Sequence, residues 1–471
     1  MTFKPESLDY EPLRRTKSMA DDAADAEFRF RKPARRFADD VFPNDSAPAR
    51  AREDKTELKP LQETWIHKHG HTLSYAGVYL FTTLVFFRPY ELSPSLSWLA
   101  QTPFWVAVAT IVVFVITQLG LENKLTARPR EVNLLLLLSL MGILSIPLAL
   151  KPLRAFNGFI EFLKVVLIFI VMINVVRTEK RLKGIWILVL IATCILSINA
   201  VNDYRLGKLA LQGLRIKGSI GGLFDNPNDL ALHLVTMFPL ALALSFSARN
   251  RLIKPVYFIA SLLIIGGIVV TFSRGGFLAL VATGGVLVWK LVRSSRWLVP
   301  PVAAVLLLGF LVLAPGGYRT RLSTTGDESS MARFDDLKRS MLVAARHPLF
   351  GVGVDNYILF SNSNKSSHNA YTQVAAEMGA AAALFYILFI LAPFKGLRSI
   401  ERKALGVRPA RRFYYASVAL QASLVGYMVA SFFASVAYLW YIYYLVAYAV
   451  CLRRIYDLAI ERDTATASAT Q

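Results

Sequence analysis

The chain has 471 residues, 55% of them hydrophobic, and a mean hydropathy of +0.44. A soluble protein of this length would need more polar surface than this composition provides, so that class is excluded. The formal net charge is +21, yet residues 1–70 hold 14 basic and 14 acidic side chains, so the excess lies in and between the hydrophobic segments. This distribution argues against nucleic-acid binding and is typical of a membrane protein oriented by basic loops.

The N-terminal segment, residues 1–70, is highly charged and shows little periodicity, which predicts a disordered cytoplasmic tail. It has no recognisable signal peptide, so the first helix is expected to act as an uncleaved anchor. Three alternating histidines directly precede that helix and are interpreted as an interfacial flank: His67, His69 and His71.

Twelve apolar segments long enough to cross a bilayer as helices follow the tail. They lie near residues 72–88, 98–119, 132–150, 155–176, 183–200, 228–247, 253–272, 274–292, 297–315, 369–393, 412–433 and 435–452. The sequence therefore predicts an all-α polytopic membrane domain over residues 71–455, followed by a cytoplasmic C-terminal tail at 456–471. Two connections, 201–227 and 316–368, are long enough to hold structure of their own.

The Lys and Arg residues of the short loops predict the orientation of these helices. With the N-terminus inside, the inside loops hold more than twice as many basic residues as the outside loops, leaving the 316–368 loop out of the count. Because basic loops stay in the cytoplasm, both termini are predicted to be cytoplasmic and both long connections periplasmic. Basic residues are disfavoured outside, so a cluster of them in the 201–227 loop suggests a use: Arg205, Lys208, Arg215 and Lys217.

The 316–368 loop is predicted to contain a helix lying on the membrane surface. Within Met331–Ala345, apolar residues recur at a spacing that places them on one helical face: Met331, Phe334, Leu337, Met341 and Leu342. Ser330 is the expected cap of this helix. The sequence HPLFGVG at 347–353 then predicts a turn leading back towards the tenth span.

Three outward-facing stretches hold the residues that could carry chemistry: GLRIKGSIGGLFDNPND (213–229), TFSRGG (271–276) and SSHNAYTQVAAEMG (366–379). Arg274 opens a helix beside two glycines, where its guanidinium and the helix dipole could both attract an anion; an arginine snorkelling to the interface is the alternative. In the first stretch, Arg215 and Lys217 could equally be a solvated charge pair, and Asn228 or Asp229 is expected to cap the sixth helix.

His368 lies at the outer mouth of the tenth span, where a neutral imidazole could accept a proton from a hydroxyl. The other two histidines in the membrane domain, His233 and His347, are interpreted as structural. The outer carboxylates form no Asp-x-Asp pair, so no metal site is predicted and cations would have to stabilise an anionic leaving group. Glu161 and Lys164, three residues apart in the fourth span, are either functional or a mutually satisfied pair.

These stretches together resemble the O-antigen ligase and polymerase family of bacterial membrane glycosyltransferases. The resemblance runs from about residue 72 to 455 and rests on four features in order. They are NPND after a basic glycine-rich loop, SRGG opening a helix, HPLFGVG, and HN with Gly379 at the eleventh position after His368.

The resemblance implies an all-α, GT-C-like fold and a metal-independent inverting transfer that needs no cofactor. The donor would be an oligosaccharide on undecaprenyl diphosphate at the periplasmic face of the bacterial inner membrane. The acceptor would be a sugar hydroxyl, on lipid A-core for a ligase or on a growing polysaccharide for a polymerase. By the motif match, Arg215 and Arg274 would hold the diphosphate and His368 would be the base. Further contacts to substrate or to lipid head groups are expected from Lys217, Asn369, Arg333 and Arg346.

Two functions of other classes remain open from the residues alone. A transporter or flippase would be expected to show internal repeats and helices broken near the midplane, and no clear repeat is visible. A scaffold for an envelope-polysaccharide assembly complex would depend mainly on the N-terminal tail and on other assembly proteins.

Overall fold

The computed structural model describes residues 71–92, 94–208, 216, 218, 224, 226–291, 326–361, 366–407 and 410–469. They belong to one compact unit, Gln62–Gln471, and contain helices but no strand within those ranges. The predicted N-terminal tail and the predicted ninth span, 297–315, lie outside the described residues, as do Arg215 and Lys217.

Helices occupy every predicted apolar segment that falls within the described ranges. This is expected, because backbone groups in hydrocarbon must be hydrogen-bonded within their own segment. The helices are α1 (Thr72–Phe87), α2 (Thr102–Glu122), α3 (Arg130–Ser145), α4 (Pro152–Val175), α5 (Glu179–Arg205), α6 (Pro227–Ser247), α7 (Ile253–Val270), α8 (Arg274–Leu291), α9 (Gly326–Arg346), α10 (Ala370–Met378), α11 (Ala380–Ala404), α12 (Arg411–Ala430) and α13 (Trp440–Ala469). A single helical turn at Pro89–Leu92 and short 3₁₀ segments complete the set.

Eight helical stretches in the described ranges are long and apolar enough to cross a bilayer. They contain α2, α4, α5, α6, α7, α8, α11 and α12. Helices α1 and α3 have 16 residues each and, with α13, occupy the remaining predicted segments. The prediction of an all-helical membrane protein is therefore confirmed in its architecture.

The helices differ in how deeply they are enclosed. The apolar window of α6 is 83% buried and that of α12 is 72% buried, whereas the windows of α2, α7 and α8 are 22–28% buried. Helix α6 packs against α7, α8 and α12. Helices α6 and α12 therefore form the centre of the bundle, and α2, α7 and α8 present most of their surface outwards.

Partly buried ion pairs tie helices together at one end of the bundle, here called the basic end. Arg453 makes a bidentate pair with Glu131 at 2.9 and 3.0 Å, and Lys290 pairs with Glu401 at 2.6 Å. Arg177 pairs with Glu122 and contacts His71. His71 is fully buried at this end of the bundle, and burial and the Arg177 charge lower its pKa to about 4.

The sequence motifs meet at the other end of the bundle, here called the motif end. The backbone N–H of Lys151, just before α4, donates to the Asn356 side chain at 3.1 Å. Ser273, before α8, contacts Asn228 in α6, and Tyr371 in α10 donates to the carbonyl of Met428 near the end of α12. Loops that are far apart in sequence are therefore joined here by hydrogen bonds.

The predicted tenth span is two helices rather than one. Gly379 has a φ of +93° and separates α10 from α11. The rings of Tyr371 and Tyr386 lie 6.1 Å apart although 15 residues separate them, a distance a continuous helix could not give. Helix α10 therefore folds back along α11, and His368 opens this short reversed helix rather than the span itself.

Candidate active site

Two of the sequence motifs hold Arg274 at the start of α8. The Ser273 hydroxyl donates to the Asn228 side-chain carbonyl at 2.8 Å and accepts from the Gly276 N–H at 3.1 Å, so Ser273 caps α8 while binding α6. Phe272 before it takes a left-handed φ of 53°. The SRGG and NPND motifs are thus joined by a hydrogen bond that positions the Arg274 backbone.

The two glycines after Arg274 allow close approach of neighbouring elements. A Cβ at Gly276 would collide with the side chain of Ala231 in α6, and a Cβ at Gly275 would lie 2.7 Å from the Cβ of Phe433. Any larger residue would push α8 away from α6 and from the 431–433 turn. The glycines therefore set the depth of Arg274 in the motif end.

Asn226 is the cap of α6, since its side chain accepts a hydrogen bond from the backbone of Asn228. The prediction that Asn228 or Asp229 would cap α6 was therefore wrong by two or three residues. Pro227 occupies the first helical position, where its missing N–H costs nothing. This placement leaves the Asn228 side chain for the contact with Ser273.

His368 lies immediately before α10 in a left-handed backbone conformation, with φ at 52°. Asn369 next to it caps α10, its side-chain oxygen accepting from the backbone N–H of Tyr371 and Thr372 at 2.9 and 3.0 Å. The Ser367 hydroxyl donates to the Asn369 carbonyl at 2.9 Å. A non-glycine residue at positive φ is a strained arrangement that is enriched at functional sites.

Asn369 has a structural role in addition to the substrate contact predicted for it. The residue is 3% exposed, and its Nδ2 has no hydrogen-bond partner among the described residues. Because an unpaired buried donor is costly, this amide has hydrogen-bonding capacity available to a bound molecule.

The HPLFGVG turn clasps α10 through backbone hydrogen bonds. The N–H of Val352 donates to Ala376 at 2.9 Å, and the N–H of Ala380 donates to Pro348 at 2.8 Å. Gly351 lies against the backbone at Glu377, and Gly379 lies against the backbone at Leu349. A Cβ on either glycine would collide with these backbone atoms. The motif therefore fixes the reversed helix in place, and nothing in its geometry gives it a chemical role.

Helix α9 packs alongside α10 and brings Arg333 to the His368 end. The predicted helix over Met331–Ala345 is confirmed, although it begins at Gly326, so Ser330 lies inside it and does not cap it. The Ser340 hydroxyl donates to the Thr372 hydroxyl at 2.9 Å. The clasp at Val352 joins the later ends of both helices, so they run in the same direction.

This register places Arg333 beyond the start of α10. Arg333 precedes Ser340 by about 10 Å of helix, and His368 precedes Thr372 by about 6 Å of chain if measured at the helical rise. Burial and the nearby charge of Arg274 lower the pKa of Arg333. The charge of Arg274 therefore acts on Arg333, which lies towards the His368 end of α10, and two guanidinium groups of like charge in one region form an arrangement that an anion would stabilise.

The outward face of α9 carries large apolar side chains together with the exposed Lys338. Phe334, Met341 and Leu342 are 57%, 58% and 50% exposed, whereas Ser340 and Val343 are buried against the protein. This inverted amphipathicity agrees with a helix that lies against the bilayer surface.

The remaining predicted site residues are distributed differently. Arg346 is exposed at the far end of α9, about 20 Å along the helix from Arg333, so the two do not share a site. His233 is buried with its Nε2 2.9 Å from the Thr193 hydroxyl, which confirms its packing role. Lys164 and Glu161 form a 2.6 Å ion pair in α4.

Glu377 is a buried acid that the sequence reasoning did not single out. It lies in the last turn of α10 and is 3% exposed. Burial raises the pKa of Glu377 to about 8, although the Tyr438 hydroxyl and hydrogen bonds from the backbone at Asp355 and Tyr357 act in the opposite direction. Its backbone carbonyl accepts a hydrogen bond from the Gly353 N–H at 2.9 Å, so Glu377 lies between α10 and the turn that ends HPLFGVG.

Residues 259–387 match the protein family described as O-Antigen ligase, which confirms the predicted family resemblance. The matched region begins in α7, includes SRGG, α9 and HPLFGVG, and ends in α11. It therefore contains Arg274, Arg333 and His368. No curated protein matches the chain at a significant level.

Proposed function

We propose, from the O-antigen ligase match and the geometry of the motif end, that this protein transfers a glycan from an undecaprenyl-diphosphate-linked donor to a sugar hydroxyl. The match supports activity of the ligase or polymerase type. The observation that carries the finer proposal is the register of α9 against α10, set by the bond from Ser340 to Thr372. It places Arg333, on which the Arg274 charge acts, towards the His368 end of α10.

In this proposal the acceptor oxygen attacks the anomeric carbon of the donor sugar from the face opposite the diphosphate. The bond between that carbon and the diphosphate oxygen breaks, and its electron pair leaves with the diphosphate. Arg274 and Arg333 stabilise the negative charge that develops there. His368 accepts the acceptor's hydroxyl proton, and Arg215 and Lys217, which precede NPND in the sequence, would extend the cationic surface.

The orientation proposed for the site follows from the distribution of basic residues. Three clusters lie at the basic end, around Arg130, Arg177 and Arg412. The positive-inside rule assigns that end to the cytoplasm. The motif end would then face the periplasm of a bacterial inner membrane, where lipid-linked glycans are presented.

The break in the tenth segment supports a transferase better than a transporter. Transporters bind their substrates near the bilayer midplane, where discontinuous helices meet. Here the break at Gly379 lies at the motif end, in the turn held by HPLFGVG. A broken helix at this position supports a surface pocket and offers no midplane site.

The glycan phenotype of a null strain tests this function. A missing polymerase leaves acceptor capped with single repeats, and a missing ligase leaves full-length polymer on the carrier lipid. Arg333→Ala should reproduce the null phenotype, whereas Arg346→Ala, at the other end of the same helix, should complement it. Normal surface glycan in the null strain would contradict both assignments.

A further inference from the structure

A cavity with several charged lining residues lies at the motif end, on the α4 side of the bundle. It has a volume of about 910 Å³ and opens beside the first three turns of α4. Its polar lining comes from Lys151, Arg154, Asn157 and Glu161, together with Asp355 from the turn after HPLFGVG. None of these residues belongs to the Arg274 and Arg333 pair or to the motifs around it.

One wall of the cavity is formed by a polar stripe on α4, a helix whose length and composition are otherwise typical of a membrane span. Arg154, Asn157, Glu161 and Lys164 are spaced by three, four and three residues, which places them on one face of α4. Asn157 is exposed, and the Glu161 side chain is 72% exposed. Charged side chains that face hydrocarbon are costly, so this face must contact water or lipid head groups.

Aromatic side chains indicate the level of the stripe in the membrane. The Lys164 ammonium lies 5.6 Å from the ring of Phe104 at the start of α2. Trp105 beside it is 62% exposed, and Trp98 in the preceding 3₁₀ segment is 74% exposed. Exposed tryptophans concentrate at the head-group level of a bilayer, so the cavity opens where lipid head groups lie.

The residues that line the cavity carry two positive and two negative charges, but Lys164, just outside it, also pairs with Glu161, so one lining cation is left without an acidic partner among the described residues. Arg154 pairs with Asp355 at 3.0 Å, and Lys164 pairs with Glu161 at 2.6 Å. The Lys151 ammonium makes no ion pair with any residue in the described ranges. Arg154 binds Asp355 through its Nε alone, so Lys151 and the outer nitrogens of Arg154 can bind an anion together.

The turn at 353–356 connects this cavity to α10. The Arg154 Nε also donates to the Asp355 carbonyl at 2.8 Å, and the adjacent backbone hydrogen bonds to Glu377 in the last turn of α10. His368 precedes Glu377 by nine residues, about 13 Å of helix. The cavity and the arginine pair therefore lie towards opposite ends of α10, a separation that an oligosaccharide of a few sugar units covers.

We propose that this cavity binds the phosphate-bearing head group of the acceptor lipid, with Lys151 and Arg154 as the phosphate contacts. The proposal rests on the proposed glycan transfer, which needs two lipid-borne substrates. The donor diphosphate occupies the Arg274 side of α10, the acceptor lipid occupies the α4 side, and the acceptor glycan reaches along α10 to His368.

The test uses Lys151→Glu in the full-length protein, reconstituted in phosphatidylcholine nanodiscs. Lys151 is exposed, so the change should not disturb folding. Lys338→Glu, an exposed lysine on α9 outside the cavity, is the matched control. Transfer is measured with a phosphorylated acceptor glycolipid and with the same glycolipid after enzymatic removal of its phosphate.

We expect Lys151→Glu to raise the KM for the phosphorylated acceptor roughly tenfold, equivalent to about 1.4 kcal/mol. The KM for the donor, kcat, and the KM for the dephosphorylated acceptor should stay unchanged, and Lys338→Glu should behave as wild type. An equal change for both acceptor forms, a change in donor KM, or no change would overturn the proposal. The wild type should have a lower KM for the phosphorylated than for the dephosphorylated acceptor. If added phosphatidylglycerol abolished this difference, the cavity would be a site for any anionic lipid, and the proposal would also be overturned.

A binding measurement separates this proposal from the transferase itself. Retention of the radiolabelled phosphorylated glycolipid is measured on wild-type and Lys151→Glu nanodiscs, with no donor present. Retention by the wild type and its loss in the variant support acceptor binding in the cavity, whether or not transfer occurs. Absence of transfer by the wild type would then count against the proposed transferase activity alone. Equal retention by the wild type and the variant, together with normal transfer, overturns the proposed acceptor site alone.

Discussion

The buried carboxyl of Glu377 predicts a specific dependence of stability on pH. Its ordinary pKa is 4.5, and burial raises it to about 8 in the folded protein. Below pH 4.5 the group is protonated in both the folded and the unfolded states. Between the two values the folded state keeps a proton that the unfolded state has lost, so the group's contribution to stability falls as pH rises.

The size of this effect follows from the difference between the two pKa values. One pH unit corresponds to about 1.4 kcal/mol, so the full difference is roughly 5 kcal/mol. Glu377→Gln keeps the shape and a hydrogen-bond acceptor for the backbone at Asp355 and Tyr357 but cannot ionise. The variant should match the wild type at pH 4.5 and exceed it in stability by several kcal/mol at pH 8.

The assay is thermal unfolding in detergent, followed by tryptophan fluorescence from pH 4.5 to 9. The difference in Tm between wild type and Glu377→Gln at each pH cancels the titration of all other groups. That difference should widen steadily up to about pH 8 and then level off. A difference that stays constant with pH, or that narrows towards pH 8, would refute the assignment of a neutral buried carboxyl at this position.

Three further predictions concern the parts that hold the site. Gly379→Ala should lower the free energy of unfolding by at least 1–3 kcal/mol in denaturation assays, because its Cβ would collide with the Leu349 carbonyl. Gly406→Ala, at a φ of +78° with open space around it, should show the effect of backbone strain alone. Ser273→Ala should cost about 1 kcal/mol in the same assay and reduce transfer, while Ser261→Ala, which loses one bond within α7, should leave transfer intact. Arg333→Ala should lower kcat on the order of 10²-fold in a transfer assay, with Arg346→Ala unchanged; equal losses in both would contradict the register of α9 against α10.

The helical architecture could be predicted because apolar runs of about 20 residues have few other structures available in a bilayer. The helix on the 316–368 loop was also readable, since its apolar residues keep a helical spacing. The reversal at Gly379 was not, because the apolar run continues through it and only the packing of HPLFGVG shows why a positive φ is needed there.

The candidate site was predictable as a set of residue types but not as an arrangement. Arg274 and His368 could be found because each opens a helix on the side with few charges. Arg333 gained its importance only from the hydrogen bond between Ser340 and Thr372, which sets two helices in register. Glu377 carried no signal, since a single acid near a helix end usually contacts solvent.

The most direct test of the account is transfer by the purified protein. The wild type and the variants Arg274→Ala, Arg333→Ala and His368→Ala are reconstituted in liposomes with an undecaprenyl-diphosphate-linked glycan and an acceptor glycolipid, and the radiolabel moved to the acceptor is counted. The account predicts transfer by the wild type and a loss of about 10²-fold or more in each variant, with each protein still folded. Full transfer by the Arg274 and His368 variants would contradict it.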